Sequence, residues 1–131
     1  MKTAYPVIFT KHSDGYVAHA PDFPLDTQGD SLVEAIEMVR DAIGLMGIDM
    51  EDDKKPLPTP SNIEKITCAA DQLISVVDID FVEYRKANER RTVRRNVSLP
   101  SWLNAEAEKA GINVSALLQA AIKKELNLSH A

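Results

Sequence analysis

Residues 92–100, Thr-Val-Arg-Arg-Asn-Val-Ser-Leu-Pro, constrain this chain more than any other stretch. Read as a strand, they alternate: Thr92, Arg94, Asn96 and Ser98 share one face, and Val93, Arg95, Val97 and Leu99 the other. Pro100 stops a ladder and suits the first turn of a helix, with Ser101 placed to cap it. Trp102, Leu103, Ala107 and Ala110 supply that helix with an apolar stripe, and Gly111 ends it. Ile112, Asn113 and Val114 form a turn, Ser115 is the expected N-cap, and residues 116–126 form a second helix with Leu117, Leu118, Ala121, Ile122 and Leu126 inward. A lone strand has no ladder partner, and two short helices bury too little to make a core. A second copy solves both problems, because two strands pair antiparallel and four helices close beneath them. The expected product is a homodimer with Val97, Leu99, Trp102, Leu103, Leu117, Leu118 and Ile122 in its core. Whether dimers pair further stays open.

Charge separates this segment from the rest of the 131 residues. Up to Asn88 there are eight basic and sixteen acidic residues, a net −8, whereas from Glu89 onward seven basic face four acidic ones, a net +3. The overall −5 therefore hides an acidic front and a basic back, which suggests two tasks. At 44% hydrophobic and 27% charged residues, a packed core is expected.

In the acidic part, residues 5–9 and 16–20 are apolar and rich in β-formers around Ser13-Asp14-Gly15, the pattern of a hairpin. Pro6 argues that the first strand is an edge or starts late. Pro21-Asp22-Phe23-Pro24 makes a rigid loop and residues 25–29 a short third strand. Asp30 or Ser31 caps a helix over about 32–46, with Glu34 placed as in a capping box. Leu32, Ala35, Ile36, Val39, Ile43 and Met46 form its inward stripe, and Gly44 and Gly47 mark a weakened last turn and a C-cap. Residues 49–60 are charged and proline-rich, a surface connection, and Ser61-Asn62 starts one further helical turn. Residues 73–80 read as a strand buried on both faces or nearly so, which completes a β-β-β-α-β layer.

Asp14, Asp22, Asp26, Asp30, Asp78 and Asp80 raise the question of a metal-dependent nuclease, which needs converging carboxylates. Turn, cap and solvated roles account for them better, and Asp78 and Asp80 fall on one strand face by alternation. His12, His19 and His130 have no metal-ligand spacing with one another or with Cys68, so no metal and no cofactor is expected. His19 is the histidine placed to titrate near neutrality if exposed. One cysteine excludes an internal disulfide, and no apolar run is long enough for a membrane span or ordered as an export signal. A cytoplasmic protein without membrane contact is expected.

Arg94 to Pro100, the two helices and the Gly111-to-Ser115 turn resemble the ribbon-helix-helix family of DNA-binding repressors. Setting Pro100 on that family's proline implies that Arg94, Asn96 and Ser98 read bases in the major groove. It further implies that Asn113, Val114 and Ser115 hold a phosphate at a helix N-terminus, with Arg91 and Arg95 as further phosphate contacts. Arg95 departs from the family, which usually buries an apolar residue there. The front resembles the HicB antitoxin family: Tyr5-Pro6-Val7, Asp14-Gly15-Tyr16, Pro21-Asp22-Phe23-Pro24, Gln28-Gly29-Asp30-Ser31, Pro58-Thr59-Pro60-Ser61 and Val77-Asp78-Ile79-Asp80 carry the likeness. That resemblance implies an α+β chain of three parts. Residues 1–85 form a degenerate ribonuclease-H-like domain without catalysis, 86–90 a linker, and 91–131 a ribbon-helix-helix dimerisation domain. It implies an antitoxin, not an enzyme, that neutralises a HicA-like mRNA-cleaving toxin through Asp22, Phe23 and Asp26 and represses its own operon at operator DNA. Leu25-Asp26 replaces the Gly-Cys that many relatives carry. Two other readings stay open, a stand-alone repressor with a small-molecule-sensing front domain and a residual nuclease.

Overall fold

The computed structural model describes residues 2–88 and 92–128. The chain divides into two compact units, residues 1–91 and 92–131.

In the first unit, β1 (Lys2–His12) and β2 (Gly15–Ala20) form the expected hairpin, and β3 (Leu25–Gly29) pairs with β2. Helix α1 (Leu32–Asp52) follows, then a 3-10 turn (Ile63–Lys65) and β4 (Gln72–Asp80), which returns antiparallel to β1. The sheet order is β3-β2-β1-β4. Strand β1 is therefore central, contrary to the expectation drawn from Pro6. The β2 ladder begins only at Ile8↔His19, so the donor that Pro6 lacks has no strand to reach on that side. Strand β4 alternates instead of being buried throughout: Val77 and Ile79 are buried, while Val76 and Asp78 are exposed. As an edge strand covered on one side only, it needs an apolar face, not an apolar run.

Helix α1 starts as expected, the Ser31 hydroxyl accepting from the Glu34 N–H at 3.1 Å. It lays Ala35, Val39, Ile43 and Ile48 against Tyr5, Val7, Phe9, Ala18, Ala20, Val77 and Ile79 of the sheet. It does not stop near Met46 but runs to Asp52, and Gly44 and Gly47 are buried inside it. They are where α2 (Phe81–Asn88) crosses: a Cβ on Gly44 would lie 2.4 Å from the Tyr84 ring, and one on Gly47 2.1 Å from the Phe81 ring. The glycines are notches for a second helix rather than stop signals. Residues 86–88, read as linker, are helical in α2, which packs on α1 through Phe81 and Tyr84. Arg85 adds bonds to the Ile48 carbonyl at 3.2 Å and to Asp52 at 3.1 Å. Helix α1 has no basic residue in its own last turn, so α2 supplies the cation that its C-terminal dipole favours.

The second unit holds α3 (Ser101–Lys109) and α4 (Val114–Glu125). Pro100 is the N-cap residue of α3 and makes no side-chain cap bond, so Ser101 is the first helical residue instead of the cap. Gly111, at φ +68°, ends the helix in the left-handed conformation that glycine adopts without strain. Helix α4 is capped by Asn113, whose side chain accepts from the Ala116 N–H, so the cap is not Ser115. Residues 92–100 join no ladder. The strand expected over these residues is not formed in the single chain.

Candidate functional site

The Pro21–Pro24 loop is tied down by its own side chains. Asp22 accepts from the Ser61 N–H at 3.0 Å and, by a short bond, from the Ser61 hydroxyl. Phe23 is a core residue, 1% exposed, with its ring edge-on to Tyr5 at 4.7 Å. The surface contact expected of Phe23 is therefore not available to its side chain in this fold. The Tyr5 hydroxyl donates to the Pro58 carbonyl at 2.8 Å, and burial, with Asp22 nearby, holds its phenol above the ordinary value. Loop 21–24 and segment 57–61 thus form one clasp at an end of the sheet. Asp26 lies beside it with its carboxylate 2.7 Å from His19 Nδ1, both side chains well exposed.

Two of the other carboxylates considered for chemistry, Asp78 and Asp80, are spent on structure. Asp78 meets Arg40 at 3.0 Å and Lys2 at 3.6 Å, and the Arg40 hydrogen bond leads in holding its carboxyl below the usual range. Asp80 accepts from the Val82 and Glu83 N–H groups at the start of α2. Desolvation alone would raise the Asp80 pKa, but the bonds it accepts outweigh that and leave it lowered. Among the described residues no three of His, Cys, Asp or Glu come together as a metal ion requires. Sequence reasoning missed the Asp22–Ser61 clasp, the Arg40–Asp78 pair and the α2 anchor. Only Gly44 and Gly47, three apart in an otherwise good helix, hinted at the last.

In the second unit Arg94, Arg95, Asn96 and Ser98 are all exposed. Asn113, Val114 and Ser115 do sit at the start of α4, whose first turn carries no acidic residue. Asn113 satisfies the Ala116 N–H, which leaves the N–H groups of Val114 and Ser115 facing out of the helix end. Arg91 lies outside the described residues. Val97, Leu99, Trp102, Leu103, Leu117 and Ile122 are exposed, Trp102 at 68%, and Leu118 is half-buried. No residue of α3 or α4 is fully buried.

The described surfaces thus combine a clasped loop in the first unit with uncovered apolar side chains in the second. No helix among the described residues is long and apolar enough to cross a membrane. The sequence matches the model of the HicB-like antitoxins of bacterial toxin-antitoxin systems over residues 5–122, and the chain belongs to that family. Members are antitoxins, not enzymes. An uncharacterised 14.9 kDa protein from the rep-hol intergenic region of Haemophilus phage HP1 (strain HP1c1) is 31% identical over 118 residues, covering 87% of this chain and 74% of that protein. Two solved structures share the fold. A chain of a toxin-antitoxin complex from Streptococcus pneumoniae superposes with TM-score 0.61 at 24% identity, over 95% of this chain and 99% of that one. The Burkholderia pseudomallei antitoxin HicB gives 0.57 at 21% identity, over 95% and 98%.

Proposed function

We propose that the first unit sequesters a HicA-like mRNA-cleaving toxin, and that residues 92–128 pair with a second copy as a ribbon-helix-helix dimer that binds and represses the operator of their own operon. The observation that carries this is the division of one antitoxin-family chain into a −8 front and a +3 back. A ribonuclease holds RNA phosphates with cations, and an acidic surface attracts the same cations. The basic back suits DNA, which the front would repel. Solved structures of this fold include a HicA3–HicB3 toxin-antitoxin complex, which favours a toxin of that class as partner.

In this reading Arg94 and Asn96 make bidentate contacts to guanine and adenine, and Ser98 tolerates either base. Val114 and Ser115 N–H groups hold a phosphate, with Asn113 fixing the helix end and Arg91 and Arg95 flanking it. Asp22 and Asp26 keep carboxylate surface that a basic toxin can meet, and Phe23 acts by shaping their loop. The fold of the front, one helix on a four-stranded antiparallel sheet, is in keeping with a degenerate ribonuclease-H-like layer. The test is co-expression with the small open reading frame beside the gene. Relief of that neighbour's growth arrest together with co-purification of the two proteins supports the reading. An arrest that persists with no complex formed refutes it.

A further inference from the structure

Along the outward side of α1, Glu34, Met38, Asp41, Leu45 and Asp49 follow one another at spacings of four, three, four and four, which puts them in one stripe. Met38 is 47% and Leu45 59% exposed, although the opposite side of the same helix is in the core. Single exposed apolar residues are ordinary on a protein surface. These two are set apart by alignment, two turns apart on one helix, and by their surroundings. Arg40, the one basic residue of α1, turns away to Asp78. Glu34 and Glu37, and Asp14 and Asp30 at the neighbouring hairpin end, make no ion pair among the described residues. A notch of about 290 Å³ opens beside Met38, walled by Asp14, Tyr16, Asp30 and Glu34, with His12 its only basic side chain among the described residues.

We propose that this outer face of α1 is the main docking surface for the toxin. The occupant is the toxin's cationic RNA-binding face, with an aliphatic side chain seated between Met38 and Leu45 and Lys or Arg side chains meeting Glu34, Glu37 and Asp41. The proposal rests on the toxin-binding reading above and adds where and how the toxin is held. Charge complementarity selects the occupant, since carboxylates without cations surround the apolar pair. The apolar pair gives the desolvated anchor that the Asp22–Asp26 loop lacks, its aromatic ring being in the core. Neutralisation then works by occlusion, because the surface that would grip RNA phosphates is the one covered.

The experiment measures binding of the full chain to the product of the adjacent small open reading frame by titration calorimetry. Met38→Lys with Leu45→Lys is compared with Asp22→Asn with Asp26→Asn, and thermal unfolding is recorded for each. The helix-face variant is expected to bind about 100-fold more weakly with its unfolding midpoint retained, and the loop variant within about tenfold of the wild type. Glu34→Gln with Glu37→Gln, which leaves the apolar pair intact, is expected to slow association and flatten its salt dependence. If the helix-face variant binds within about threefold of the wild type while the wild type binds well, this surface is wrong and the toxin-binding reading stands. If the wild type itself shows no binding, the toxin-binding reading falls and this inference with it.

Discussion

Residue by residue, the acidic front uses its polar groups more fully than its composition shows. Asp78 illustrates the electrostatic side. Its carboxyl is held below the ordinary 3.8, first by the Arg40 hydrogen bond and then by the Arg40 and Lys2 charges. A carboxylate with a lowered folded pKa stabilises the fold above its unfolded value, and that contribution is lost as the pH falls through the folded value. The stability gap between the wild type and Asp78→Asn should therefore be constant from neutral pH down to about 5 and close below 3.8. Replacing Arg40 by Leu should return the Asp78 carbonyl-carbon NMR titration toward 3.8. Thr27 illustrates the opposite situation, since its Oγ is buried with no hydrogen-bond partner among the described residues. Thr27→Val should raise stability by about 1 kcal/mol, read as a higher urea midpoint at unchanged slope. A lower midpoint would mean that the hydroxyl has a partner. On the basic side, Arg94→Ala or Asn96→Ala should each cost about 1–3 kcal/mol of operator affinity and leave toxin neutralisation intact. Loss of neutralisation in either variant would contradict the division of labour.

At the scale of elements, the junction of α1 with α2 is the least expected feature. Glycine lowers helix propensity by about 1 kcal/mol against alanine, so Gly44 and Gly47 would weaken α1 if nothing compensated. The compensation is contact, with the Phe81 ring where a Gly47 Cβ would go and the Tyr84 ring over Gly44. Overpacking costs about 1–3 kcal/mol, and Phe81 is 6% exposed with little room to yield, so it outweighs the propensity gain. Gly47→Ala should destabilise the first unit by about 1–2 kcal/mol. Gly44→Ala should cost less, because the half-buried Tyr84 can swing outward and give up its bond to Asp41. Chemical denaturation of the two variants checks the order, and equal or higher stability for Gly47→Ala would refute the notch. The same contact explains why the end of α1 was misread from sequence. A glycine after an apolar stripe is usually a C-cap, and only the ring across from it shows otherwise.

For the whole molecule, the question is what covers the second unit. Its helices leave Trp102, Leu117 and Ile122 exposed in the single chain, and the dimer proposed above would bury them. Trp102 is the sole tryptophan, so its fluorescence reports this directly. Emission should shift to the red on dilution as the dimer dissociates, and Leu117→Glu should hold it red at all concentrations. A spectrum independent of concentration, already blue in the Leu117→Glu variant, would show that the chain buries this face by itself. Much of the plan was legible in the sequence because it rests on local rules. Alternation and a Gly-containing turn marked the hairpin, Ser31 with Glu34 marked the start of α1, and Gly111 marked the end of α3. Composition by itself separated an acidic front from a basic back. What the sequence could not determine depends on which distant groups meet. Pro6 sits in a central strand because β2 ends short of it, and Phe23 is core because Tyr5 lies across from it. Asp22 belongs to Ser61, thirty-nine residues away, and α1 outruns its glycines because α2 packs there. Local chain stiffness and periodicity are written in neighbouring residues, whereas close packing and long-range pairing exist only after the chain has folded back on itself.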